Sequence, residues 1–198
     1  MTIASPLAAR LTAALAQTAP ADLLAGDVTE TFADGPSEAA VLVAITDRAE
    51  PGLLFTVRPE TMRTHAGQVA FPGGRVDPQD ESASAAALRE AWEEIGLDPA
   101  KVELCGTADR YTTLTGFAIT PVVGVIPPDL VLVPHPGEVA DWFEAPLAFV
   151  LDPANHLRMK TEFRGRMRDY FQINWNDRKI WGATAAMLVN LSRRLKCL

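Results

Sequence analysis

The chain of 198 residues has little cysteine, little histidine and a deficit of positive charge. Its two cysteines, Cys105 and Cys197, lie far apart, the second beside the C-terminus, so neither a disulfide framework nor a zinc-ligand spacing is available. That usage fits a reducing cytoplasm. Eighteen Lys and Arg against 25 Asp and Glu give a formal net charge of −7 and a pI near 5.0. This argues against a nucleic-acid or membrane-surface partner, since both need clustered basic side chains. An anionic substrate then needs local arginines or a metal ion. A long apolar run is also missing: the longest, Phe117 to Pro134, is broken by four prolines, a glycine and Asp129, which excludes a spanning helix. The N-terminal stretch has no charged region followed by an unbroken apolar one, so it does not read as a secretory signal. No internal repeat is present. Aromatic residues make up 7% of the chain, and Trp92, Trp142 and Trp181 sit in no basic context, so they are expected to pack rather than stack on bases.

What is there is an ordinary globular composition, 48% hydrophobic and 22% charged, enough for one cored domain. We expect an N-terminal helix and loop over 1–36 ahead of a main domain over 37–198. Leu7, Leu11 and Leu15 recur at helical spacing within Pro6 to Gln17. "AAVLVAITD" and "GLLFTVR" read as strands, as do "KVELCGTADRYTT", "FAITPVVGVI" and "DLVLV". A short helical patch follows around "PLAFVLD", then a hairpin about Gly165 and a closing helix, "IWGATAAMLVNLSRRL". Cys105 falls in an alternating strand and is expected to be a buried small apolar group. Helices and strands mix without regular alternation, which predicts an α/β (α+β) fold layered around a mixed sheet.

The most informative stretch is "FPGGRVDPQDESASAAALREAWEEIGL", Phe71 to Leu97. At about 100° per residue, Leu88, Ala91, Trp92 and Ile95 share an apolar stripe, and Glu90, Glu93 and Glu94 share the opposite side. Like charges at these spacings repel, and the C-terminal end of a helix disfavours anions. A solvated acidic face and a hard divalent cation held by oxygen ligands are equally compatible with the spacing alone.

"REAWEEIG", with Arg89, Glu90, Glu93, Glu94 and Gly96, resembles the box of the Nudix hydrolases. Five fixed positions arise by chance about once in a million starts. The upstream part departs by one residue: Gly74 plus five leads to Asp80, whereas Glu81 keeps the seven-residue gap to Arg89. Either takes the structural role of the family glutamate. This lengthening is similar to the coenzyme A pyrophosphatase branch, as is "LLFTVRPETMRTHAGQVAFPGG", Leu53 to Gly74, through Arg63, Gly67, Phe71, Pro72, Gly73 and Gly74. Thr56, Val57, Arg58 and Pro59 stand where that branch commonly shows Thr-x-Arg-Ser. "YTTLTGFAITPVVG", Tyr111 to Gly124, also looks like this branch.

The resemblance implies a Nudix α/β/α sandwich and hydrolysis of the diphosphate of coenzyme A or acyl-coenzyme A, with Mg2+ or Mn2+. It places metal ligation on Glu90 and Glu94 first, with Glu93 as third ligand or water-activating base. It gives substrate contacts to Arg58, Arg63, Gly67, Gln68, Phe71, Gly73 and Gly74, and has Arg89 tie down the loop through Asp80 or Glu81, pointing away from the metal cluster. Phe71 is equally a core residue on this reading. His65 reads as a loop histidine, and Glu138 lies in a late loop from which several Nudix enzymes supply a base. Alternatives are a Nudix pyrophosphatase for ADP-ribose, NADH or another nucleoside diphosphate derivative, and a non-catalytic Nudix ligand-sensing module. The oligomeric state stays open, a homodimer included.

Overall fold

The computed structural model describes residues 5–27, 32, 35–62, 65–163 and 165–195. Helix α1, Pro6–Leu15, starts where the Ser5 hydroxyl accepts the Leu7 and Ala8 amides and Pro6 presets the first turn. Strands β1 (Ser37–Thr46), β2 (Gly52–Val57), β3 (Val69–Ala70) and β4 (Gly73–Arg75) precede helix α2, Ala83–Ile95. Then come β5 (Glu103–Thr107), β6 (Tyr111–Thr112), β7 (Phe117–Ile126), β8 (Asp141–Pro146), α3 (Leu147–Leu151), β9 (Leu157–Phe163), β10 (Arg166–Trp175), β11 (Arg178–Trp181) and α4 (Ala183–Arg194). Among the described residues no helix is long and apolar enough to cross a membrane.

A mixed sheet has β1 at its centre, parallel to β7 over all ten residues and antiparallel elsewhere. The other edge of β1 is shared: its first half pairs with β4, Val41 opposite Gly73, and its end pairs with β2, Ile45 opposite Leu53. The far end of β2 pairs instead with β3, Thr56 opposite Ala70. β1 and β2 thus splay apart like a fork, and Phe71-Pro72 crosses between the tines, the Leu42 amide donating to the Pro72 carbonyl at 2.8 Å.

Alternation along β1 builds a core on each face. Val41, Val43 and Ile45 join Leu53, Phe55, α1, α3 and α4 on one side. Ala40, Leu42 and Ala44 meet α2 through Ala86, Ala87, Ala91 and Ile95 on the other. The alanines facing each other there let α2 approach the sheet closely, which fixes which of its sides is covered. The result is the expected three-layer α/β arrangement. A smaller antiparallel sheet, β11-β10-β9, joins the first core through Ile173 and Ile180.

Two expectations fail here. "DLVLV" is not a strand: Leu130 and Leu132 pack inward while Val131 and Val133 are 89% and 68% exposed. Its main chain is committed to the end of α2 instead, the Val133 amide donating to the Ile95 carbonyl at 2.9 Å. Trp92 is not a packing residue but 54% exposed, because the small side of α2 and not its bulkiest side faces the sheet. Trp142 is partly buried against the second core, and Cys105 is buried as expected.

Candidate active site

Helix α2 is set by two local signals. The Ser82 hydroxyl accepts the Ala85 amide at its start, and Gly96, at φ +66°, ends it with its amide on Ala91 and Trp92 carbonyls. The long-range partner is the fork. Gly73 and Gly74 run over the helix, and a Cβ on Gly74 would stand 2.5 Å from the Glu90 carboxyl carbon. Glycine at this position makes room for that carboxylate.

The three glutamates occupy different environments. Glu94, expected on the exposed side, is buried at 6% exposure, because it shares the arc of Ala87 and Ala91 that faces the sheet. One of its oxygens accepts the Gly73 amide at 3.2 Å. Burial, reinforced by the charges of Glu90 and Glu138, pushes its pKa up to about 8 against the opposing pull of the Gly73 amide and Arg58. Glu90 is half-buried and also raised, chiefly by burial. Glu93 is exposed.

Arg89 explains part of the box. Its Nε and one terminal nitrogen bind the Asp80 carboxylate at 3.1 and 2.9 Å, and that nitrogen also donates to the Arg75 carbonyl at 3.0 Å. Asp80, whose side chain is 5% exposed, is held below the usual carboxylate range by this fork. Glu81 is exposed, so Asp80 is the loop-tying acid. The arginine does not simply point away, however: its other terminal nitrogen donates to Glu90 and Glu93, both at 2.9 Å.

Two further groups face these carboxylates. Arg58, at the end of β2, lies within electrostatic reach of Glu94, and its buried Nε has no hydrogen-bond partner among the described residues. Glu138 acts on both Glu90 and Glu94. Its segment is anchored on the same helical turn, the His135 amide donating to the Glu94 carbonyl at 2.8 Å. Sequence could offer Glu138 only through the family resemblance, since nothing in local spacing ties it to α2.

The remaining expected residues are distributed less evenly. Gly67, at φ +66°, and Gln68 close the loop after β2 by main-chain bonds with Arg58 at 3.1 and 3.0 Å. The Gln68 side chain is engaged with the His65 ring at 2.7 Å. Phe71 is 3% exposed and stacked on Phe55 at 5.2 Å, so its ring belongs to the core and is not open to a ligand. Arg63 lies outside the described residues.

The donors gathered at this end of α2 are carboxylate oxygens, the set a hard divalent cation takes. Glu94 is a buried carboxyl group with one amide donor, whose charged form burial disfavours and a cation would stabilise. Glu90 and Glu93 are turned onto Arg89, and among the described residues no three Asp, Glu, His or Cys side chains are gathered to hold an ion in this arrangement. The donor set fits such an ion in kind, with Glu90 and Glu93 shared with Arg89 in this structure.

The profile of the NUDIX domain matches residues 36–166. The chain is 44% identical over 158 residues to the uncharacterized Nudix hydrolase NudL of Cronobacter sakazakii, covering 80% of this chain and 82% of that protein. It is 43% identical over 159 residues to its Escherichia coli K12 namesake, with the same coverage. A Nudix hydrolase from M. smegmatis, RenU, shares the fold at 24% identity and a TM-score of 0.50, over 60% of this chain and 75% of that one. So does a MutT/nudix family protein from Enterococcus faecalis, at 14% identity and a TM-score of 0.50, over 84% and 63%.

Proposed function

Because the chain belongs to the Nudix hydrolase family, we propose that it cleaves the diphosphate of coenzyme A and its thioesters, releasing 3′,5′-ADP and 4′-phosphopantetheine or its acylated form. One observation carries this reading. The segment Leu53 to Gly74, whose sequence resembles the coenzyme A branch, is also the segment that forms one tine of the fork, brings Arg58 within electrostatic reach of Glu94 and lays Gly73 and Gly74 across the glutamate helix.

Nudix hydrolases use divalent metal ions, and Mg2+ or Mn2+ held by Glu90, Glu93 and Glu94 would supply Lewis-acid polarisation of the phosphoryl oxygens. The chain's own groups do the rest. Gly73 fixes one Glu94 oxygen through its amide. Arg89 holds Glu90 and Glu93 at the site while Asp80 holds Arg89. Arg58 presents positive charge to an incoming diphosphate, and Arg63, five residues along the same loop, is the group assigned to the 3′-phosphate that ADP-ribose and NADH lack.

A substrate panel with Mg2+ and Mn2+, read by product mass, tests the proposal. Coenzyme A should outpace 3′-dephospho-coenzyme A, ADP-ribose and NADH in kcat/KM. Arg63→Ala should raise KM for coenzyme A by an amount equivalent to about 1.5–3 kcal/mol and change dephospho-coenzyme A less. Faster turnover of ADP-ribose or NADH by the wild type overturns the substrate assignment.

A further inference from the structure

We propose that Arg178 is a positioning residue of the active site: through Asp141 and Phe143 it fixes the three segments that meet around Glu94. Those segments carry Arg58, Glu138 and the Gly73 amide. Two of them leave the same strand end. β2 and β8 pair along their whole length, and the last pair is Val57 opposite Asp141, with the Ala140 amide donating to the Val57 carbonyl at 2.9 Å. Arg58 follows Val57 directly, and Glu138 lies three residues ahead of Asp141. A terminal pair opens more easily than the pairs behind it, so whatever pins Asp141 sets how firmly both groups are held.

Arg178 makes that contact. Its guanidinium binds the Asp141 carboxylate at 2.5 Å and lies over the Phe143 ring, 5.2 Å from the centroid. Phe143 stacks on Phe55 at 5.3 Å and Phe55 on Phe71 at 5.2 Å, and Phe71 stands two residues before Gly73. One side chain thus closes two routes to Glu94, the first through the β2–β8 end and the second through the stacked rings. The small sheet holds it in place. Arg178 opens β11 opposite Trp175, across a two-residue turn in which Asn176 takes φ +51°. Trp175 packs on Phe149 at 4.8 Å, and Ile180, on the same face of β11 as Arg178, is fully buried. The Arg178 Nε also reaches the Asp177 carboxylate at 3.6 Å, so the turn helps orient the guanidinium, whose planar fork serves a carboxylate and a ring at once. The Arg178 and Asp141 side chains are 30% and 48% exposed, and ion pairs of this exposure add little to global stability. Local placement is what the pair has to offer.

The inference takes this site as the hydrolytic one and holds whichever diphosphate is cleaved, so kcat/KM is measured with Mg2+ on the fastest substrate among coenzyme A, 3′-dephospho-coenzyme A, ADP-ribose and NADH. In the full chain, Arg178→Gln should lower kcat/KM about fivefold while the melting temperature stays within about 3 °C of the wild type. Arg178→Lys should recover most of that loss. Asp141→Asn leaves the guanidinium on Phe143 and should lose less, and the double variant should lose no more than Arg178→Gln, because both substitutions break one link. Arg158→Gln breaks another exposed pair of the same sheet, with Asp169 at 2.8 Å, and should leave kcat/KM unchanged. An unchanged kcat/KM in Arg178→Gln overturns the inference. So do losses that multiply in the double variant, a loss matched by Arg158→Gln, or a fall in kcat/KM that only follows the melting temperature. If Arg178→Gln fails to fold, Asp141→Asn against Arg158→Gln decides.

Discussion

Glu94 shows how one residue's surroundings set its chemistry. Its folded pKa of about 8 stands above the ordinary 4.5, so between these values the metal-free folded state binds more protons than the unfolded chain. Raising the pH through that window therefore removes stability, and the slope vanishes above about 8. Thermal melts of metal-free protein should fall from pH 5 to pH 8, and Glu94→Gln should flatten most of that slope while abolishing turnover. Added Mg2+ should flatten it too, since a ligand bound only by the folded state stabilises it. Asp80 has the opposite sign: its pKa is lowered, so its contribution is lost only as pH falls below the carboxylate range. Removing its partner is a separate test. Arg89→Ala leaves a nearly buried carboxylate unpaired and should cost about 3 kcal/mol in urea unfolding, whereas Glu81→Ala, at an exposed acid, should stay within roughly 0.5 kcal/mol.

At the level of elements, the fork between β1 and β2 gives two adjacent glycines different duties. Gly73 sits at φ +155° with its Cα hydrogen turned toward the Ala40 carbonyl, where a Cβ has no room. Gly73→Ala should therefore destabilise the fold by about 1–3 kcal/mol. Gly74→Ala presses on a side-chain carboxylate rather than on backbone, so Glu90 gives way. Its melting temperature should hold near that of the wild type, while kcat falls by up to about 100-fold from the misplaced group. Equal loss of stability in both variants would contradict this division. The same fork explains why α2 binds by its alanine side: a helix crossing beneath a glycine strand approaches closely only through small residues, and Glu94 is carried in with them.

Across the whole molecule, the N-terminal segment is tied to the far end of the chain. The Asn190 side chain both accepts from the Leu24 amide and donates to its carbonyl, each at 2.8 Å. Arg194 binds Asp109 and the Gln17 carbonyl. Helix α1 adds Ala8, Leu11 and Ala14 to the same core as β1 and α4. We expect Leu11→Ala, at a fully buried site, to cost about 3 kcal/mol and to shift a single unfolding transition measured by both circular dichroism and tryptophan fluorescence. A separate early transition for the first helix would mark 1–36 as an independent unit.

The sequence by itself determined what short-range physics can encode. Ser82 and Gly96 cap α2, an unbroken apolar run marks β1 as a strand, and Arg89 with the acids around it marks one chemistry. Even the choice between Asp80 and Glu81 was narrowed to neighbours. Only the tertiary structure decided which side of α2 is covered, because a hydrophobicity wheel weighs Trp92 above alanine, whereas close packing under the glycines of the fork weighs size. That choice buried Glu94 and exposed Trp92. Distance along the chain hid the rest: Arg58, Glu94 and Glu138 meet through strand pairing and the anchoring of residues 133–135 on the end of α2. No local pattern specifies such contacts, since they depend on where a two-sided sheet places its ends.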